Sequence, residues 1–161
     1  MRDAHKWLGA AWQPGNQMFG ARGAPYKTII QNHPTMTTQP KSLLAVIEFI
    51  THGRLPDLYK QLGFEVTTEW RVRKAVSLVR KLKPDVIVAD FYFQSDFRDR
   101  LSNLESLLAT AQPFKETRIL VLYDPQDTHA LDRVRARMRI DAVLPTPVSD
   151  EAVKAVLSEW L

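Results

Sequence analysis

The side chains best placed to do chemistry stand at the ends of apolar runs. Asp90 closes the run Asp85-Val-Ile-Val-Ala-Asp90 and leads into Phe91, Tyr92 and Phe93. Glu48 sits near the end of Leu43-Leu-Ala-Val-Ile-Glu-Phe-Ile50, Tyr123 and Asp124 follow another run, and Pro145-Thr146-Pro147 follows a third. An aspartate in such a place can cap the next turn or accept bonds from nearby backbone N–H groups. Together with Glu48 it can also form a buried acidic pocket that has room for a cation. Glu48 itself has two readings: a buried acid with a raised pKa beside Asp90, or a loop residue turned to water. Other chemistries are excluded. Cysteine is absent, which removes thiolate catalysis, disulfides and Cys-ligated zinc. The four histidines His5, His33, His52 and His129 lack metal-ligand spacing. Neither a Gly-rich phosphate loop nor a Gly-x-Ser-x-Gly elbow occurs, and Asp90-Phe-Tyr lacks the second aspartate of haloacid-dehalogenase-like phosphatases.

Two further stretches carry interaction chemistry. Asp132-Arg-Val-Arg-Ala-Arg-Met-Arg139 is the densest basic run. On a helix, Arg133 and Arg137 share one side and Arg135 and Arg139 another. This is either a docking surface, for an acidic partner or for nucleic acid, or a solvated helix face. Phe91-Tyr-Phe-Gln-Ser-Asp-Phe-Arg-Asp-Arg100 is either a recognition loop or local packing of Phe91, Phe93 and Phe97. Arg71-Val-Arg-Lys74 and Arg80-Lys-Leu-Lys83 make a second basic segment, and the sequence leaves open whether it shares a sheet face with the first.

These residues are positioned by a regular alternation. The run 43–50 is nearly continuous in apolar residues, as in a strand covered on both faces. Pro56 suits a helix first turn, and Leu55, Leu58, Tyr59 and Leu62 form one helical stripe with Gly63 as its stop. Phe64–Thr68 reads as a short strand. Val72, Ala75, Val76, Val79 and Leu82 make a second helical stripe that ends at Pro84. Strand 85–90 follows, then a helix through Leu101, Leu104, Leu107, Leu108 and Ala111. Strand 118–123 comes next, then a shorter helix marked by Leu131, Val134 and Met138. Strand 141–144 precedes a last helix, capped by Ser149 or Asp150, with Val153, Val156, Leu157, Trp160 and Leu161 on its buried side. Five alternations predict an α/β, doubly wound, five-stranded parallel sheet with helices on both faces. Ligands in such sheets bind outside the carboxyl ends of the strands.

Composition adds little except through its distribution. The 161 residues carry 22 basic and 18 acidic side chains, a net of +4. Residues 1–35 hold +3 of this, and residues 36–161 have 18 basic against 17 acidic side chains. The near-neutral body argues against a dedicated nucleic-acid binder, and no apolar run reaches the ~18 residues of a membrane span. Residues 1–40 are rich in glycine and proline and show no periodicity. They read as a poorly structured extension to a domain over 41–161. Met36-Thr-Thr-Gln-Pro-Lys has the look of a natural start, so residues 1–35 are expected to come from an upstream start codon.

Over about residues 42–161 the chain resembles a response-regulator receiver domain, by element order and spacing. Lys83-Pro-Asp-Val-Ile-Val-Ala-Asp90 resembles the family's strand to the phosphoacceptor aspartate. Asp141-Ala-Val-Leu-Pro-Thr-Pro-Val-Ser149 resembles its fifth strand and Lys-Pro turn. The resemblance implies a flavodoxin-like strand order 2-1-3-4-5. It implies that Asp90 is the phosphoacceptor-like residue and that Glu48, Asp90 and the carbonyl of Tyr92 are a weak magnesium set. Besides Ile47, which stands where a partner acid is usual, three positions depart from the pattern. Tyr123 and Asp124 stand for the hydroxyl-plus-small-residue pair, and Thr146 stands for the lysine, leaving a phosphoaspartate without its cation. The expectation is a degenerate receiver in bacterial two-component signal transduction, non-enzymatic and cytoplasmic. It would need no cofactor, with magnesium at most in a weakened pocket. Its partner would be a protein, either a signalling protein or a histidine kinase, met through Arg133, Arg135, Arg137 and Arg139 or through the aromatic loop. The face of helix 4, strand 5 and helix 5 is a candidate for homodimerisation. Two alternatives stand beside this: an atypical receiver phosphorylated on Asp90, and a small ligand-binding or hydrolase domain, which a deep apolar pocket would favour.

Overall fold

The apolar runs become strands and the striped segments become the helices that cover them. The computed structural model describes residues 39–47, 54–93 and 102–161. Its order is β1 (Ser42–Val46), α1 (Leu55–Gln61), β2 (Glu65–Glu69), α2 (Val72–Leu82), β3 (Val86–Phe91), α3 (Glu105–Ala111), β4 (Arg118–Tyr123), a 3-10 turn at Pro125–Asp127, α4 (Thr128–Arg135), β5 (Ala142–Pro145) and α5 (Asp150–Ser158). The strands form one sheet in the order β2-β1-β3-β4-β5, and every neighbouring pair is parallel. The expected fold class and strand order are both observed.

Alternation along each strand sends side chains to opposite faces. Val86 and Val88 of β3, with Leu120 and Leu122 of β4, meet Leu55, Leu58 and Tyr59 of α1 and Val153 and Leu157 of α5. Ile87, Ala89 and Phe91, with Ile119 and Val121, meet α2, α3 and α4 through Ala75, Val79, Leu107, Leu108, Leu131 and Val134. The two basic segments therefore do share a sheet face, with α3 between them in sequence.

Local chemistry explains the helix ends. Pro56 lies in the first turn of α1, Gly63 adopts φ +98° just past its end, and the Oγ of Ser149 caps α5 by accepting from the Ala152 N–H at 3.2 Å. The amino ends of the strands are stitched by two aspartates. Asp85 accepts from the N–H and hydroxyl of Ser42, both at 2.8 Å, and Asp141 accepts from the Ile119 N–H at 2.9 Å and Arg118 at 3.2 Å.

Two boundary expectations change. Leu161 was expected on the buried side of the last helix, but α5 ends at Ser158 and Leu161 is exposed. The reading 132–139 as one helix also fails, because α4 ends at Arg135. Residues 48–50 of the first run, Glu48 among them, lie outside the described residues, as do Phe97, Leu101 and all of 1–38. Among the described residues no helix is long and apolar enough to cross a membrane.

Candidate functional site

The carboxyl ends of β3, β4 and β5 converge on a cleft of about 590 Å³. Asp90, Phe91 and Tyr92 line it from β3, Leu122 to Asp124 from β4, Gln126 and Asp127 from the turn before α4, and Thr146 to Val148 from beyond β5. The lining mixes polar with apolar and aromatic side chains. Asp90 is only 4% exposed. By strand alternation its side chain shares the α1/α5 face with Val86 and Val88, and Tyr59 is fully buried on that face. Burial pushes the Tyr59 phenol well above its ordinary pKa, and the negative charge of Asp90 raises it further. The Tyr59 hydroxyl makes no hydrogen bond among the described residues.

The backbone after Asp90 is held from two directions. Asn103 Nδ2 donates to the Asp90 main-chain oxygen at 2.9 Å, and Asn103 Oδ1 accepts from the Tyr92 N–H at 3.3 Å. Asp127 Oδ2 accepts from the Phe93 N–H at 2.9 Å. Phe93 also bridges antiparallel to Ser102. Of the aromatics after Asp90, Phe91 is core and Phe93 is exposed. Sequence reasoning missed Asn103 and Asp127. The only local signal was an Asn two residues before a helix, where capping residues collect.

The three departing positions have defined partners. Thr146 donates to the Tyr123 main-chain oxygen twice, through its N–H at 2.8 Å and its hydroxyl at 3.2 Å. Asp124 Oδ1 accepts from the Gln126 N–H at 2.8 Å and caps the 3-10 turn. Tyr123 is half-buried and packs against the α2–α4 cluster. Of the weak magnesium set that the resemblance implies, Asp90 and Tyr92 line the cleft. Among the described residues no three Asp, Glu or His side chains come together as a metal site. Asp124 and Asp127 hold backbone N–H groups, and Glu48 lies outside the described residues.

No protein-family model matches the chain, and no curated protein matches it in sequence. Solved structures do match. The chemotaxis protein CheY4 of Vibrio cholerae superposes with a TM-score of 0.57 at 23% identity, over 76% of this chain and 99% of that one. A response regulator receiver domain from Methylobacillus flagellatus gives 0.60 at 14%, over 76% and 99%. The signal receiver domain of a modulated diguanylate cyclase from Desulfovibrio desulfuricans gives 0.60 at 19%, over 74% and 92%. The chain has the receiver-domain fold. Within that fold, Asp90 stands one residue before the carboxyl end of β3, and Thr146 follows β5.

The arginines of this receiver fold divide. Arg133 is exposed on α4, Arg135 pairs with Asp132 at 3.6 Å, and Arg137 reaches Glu105 at 3.6 Å. Arg139, grouped with them from sequence, is bound internally. Its guanidinium donates to the carbonyls of Phe114 (3.1 Å), Lys115 (2.8 Å) and Thr117 (2.8 Å), and its backbone exchanges bonds with the Gln112 amide. Those carbonyls draw Arg139 off the helix and onto the α3–β4 connection.

Proposed function

We propose that this chain is a signalling protein of receiver type with a degenerate phosphorylation site, acting by protein–protein contact and without catalysis of its own. The observation that carries the reading is at Thr146. Its hydroxyl is bonded to the Tyr123 carbonyl, and a threonine has no positive charge to offer a phosphoryl group on Asp90. Phosphorylation would add one to two negative charges in a mostly buried site, where an uncompensated charge is costly. Asp124, engaged as a cap, adds a further negative charge close by.

The proposed partner is another signalling protein or a histidine kinase. It would be met through Arg133, Arg135 and Arg137 on the α4 side, with Phe93 as an exposed aromatic just past β3. The face of α4, β5 and α5 is also the proposed homodimer contact. Replacing the three arginines by glutamate is expected to change the set of proteins recovered in a pull-down. A second reading, phosphorylation of Asp90 with magnesium, is favoured by one observation, the position of Asp90 at the end of β3 beside an open cleft. Titration with magnesium and beryllofluoride, followed by amide NMR, separates the two. Unchanged Asp90–Phe93 amides support the degenerate site, and saturable shifts there support phosphotransfer.

A further inference from the structure

We propose that α2 and the groove between α2 and α3 form a docking surface for an acidic amphipathic segment of a protein partner. Between Arg71 and Lys83 the chain carries Arg71, Arg73, Lys74, Arg80, Lys81 and Lys83 with no acid among them. All six are exposed. Among the described residues none makes an ion pair, although Arg118, Arg135, Arg137 and others do. The helix is about 16 Å long at 1.5 Å per residue, so the six charges are densely set. The rest of residues 36–161 holds 12 basic and 17 acidic side chains. The near-neutral total thus conceals a polarised surface, and charge complementarity calls for an anionic occupant.

The apolar features identify that occupant as protein. Arg73, Ser77 and Arg80 lie on one helical row, and Arg80 borders a groove of about 400 Å³ with Ala109, Thr110, Pro113 and Phe114. Trp70 is 60% exposed at the start of α2, with the Arg71 guanidinium 4.2 Å from its ring centroid. Leu82 is exposed at the other end. A segment with carboxylates on one edge and apolar side chains beside them satisfies both features. Exposed Trp and Arg together are the residue types that anchor protein interfaces. A nucleic-acid strand or a bilayer surface would use the charges and leave the groove empty. This surface involves neither Asp90 nor the arginines of α4, so it stands apart from the degenerate-site reading.

The test uses the full chain and fluorescein-labelled probes matched in charge: an amphipathic Glu/Leu peptide, polyglutamate, and oligothymidylate, with anionic phospholipid vesicles as a further arm. The amphipathic peptide is expected to bind more tightly than the others. Arg73→Glu with Arg80→Glu is expected to weaken it at least about tenfold, beyond any contribution of the N-terminal cations, which both proteins share. Ala109→Trp, an exposed substitution that fills the groove, is expected to weaken the amphipathic peptide and leave polyglutamate unchanged. Tighter binding of oligothymidylate or vesicles, equal binding of polyglutamate, or no binding of the peptide would each overturn the proposal.

Discussion

The hydroxyl of Thr146 donates to the main-chain oxygen of Tyr123 at 3.2 Å, beside the backbone bond of Thr146 N–H to the same oxygen. One carbonyl at the end of β4 thus anchors the chain leaving β5. The Thr146 side chain fastens two strand ends together. Replacing it with lysine removes one hydrogen bond, worth about 0.5–1.5 kcal/mol, and returns a cation to the cleft. Thr146→Lys is therefore expected to remain folded, and to show beryllofluoride-dependent amide shifts at the cleft where the wild type shows none. NMR titration of both proteins checks this.

Tyr59 lies fully buried on the face that Asp90 shares, with its phenol held above its ordinary value of 10.0 by burial and then by Asp90. The native state therefore keeps this proton after the unfolded chain has lost it. Below about pH 10 both states are protonated and stability is unaffected. Above it the unfolded state binds fewer protons, and stability falls as pH rises. Tyr59→Phe is expected to flatten this alkaline loss in urea denaturation measured across pH 9–11. At pH 7 it is expected to change stability by less than ~1 kcal/mol, because the hydroxyl has no hydrogen-bond partner among the described residues. Asp90→Asn is expected to lower the Tyr59 pKa while leaving it above 10.0, read from tyrosinate absorbance.

Asn103 bonds the backbone on both sides of Phe91, at the Asp90 oxygen and the Tyr92 N–H. Asn103→Ala leaves both groups to find water or remain unsatisfied. The expected loss is about 1–3 kcal/mol, with faster hydrogen exchange at Tyr92. Unchanged exchange there would show that Asn103 does not hold this segment.

Arg139 and Arg133 differ in role though they belong to one basic run. Arg139→Ala removes charge-assisted bonds to three carbonyls and is expected to destabilise by roughly 2–4 kcal/mol. Arg133→Ala on the exposed side of α4 is expected to stay within about 0.5 kcal/mol. Chemical denaturation of the two variants decides the matter, and equal losses would contradict the division.

The architecture was largely legible because it rests on local pattern. Strand β4 coincides with the expected 118–123, and Pro56, Gly63 and Ser149 serve as the stops and caps that their chemistry suggests. What was not legible depends on contacts across the sheet. Nothing near Arg139 in sequence announces carbonyls 22 to 25 residues away. Nothing near Asn103 announces that its amide bonds to both sides of Phe91, and Tyr59 read simply as one member of an apolar stripe. A basic run likewise says nothing of which side chains are paired, and so the unpaired cations of α2 and the internal Arg139 became distinguishable only in three dimensions.

The degenerate site is tested most directly by incubating the full chain with acetyl phosphate and magnesium and measuring its intact mass, with Asp90→Asn in parallel. The account predicts no phosphoryl adduct on either protein under conditions that label a receiver with a complete site. An adduct on the wild type that is absent from Asp90→Asn would contradict it and establish Asp90 as a working phosphoacceptor.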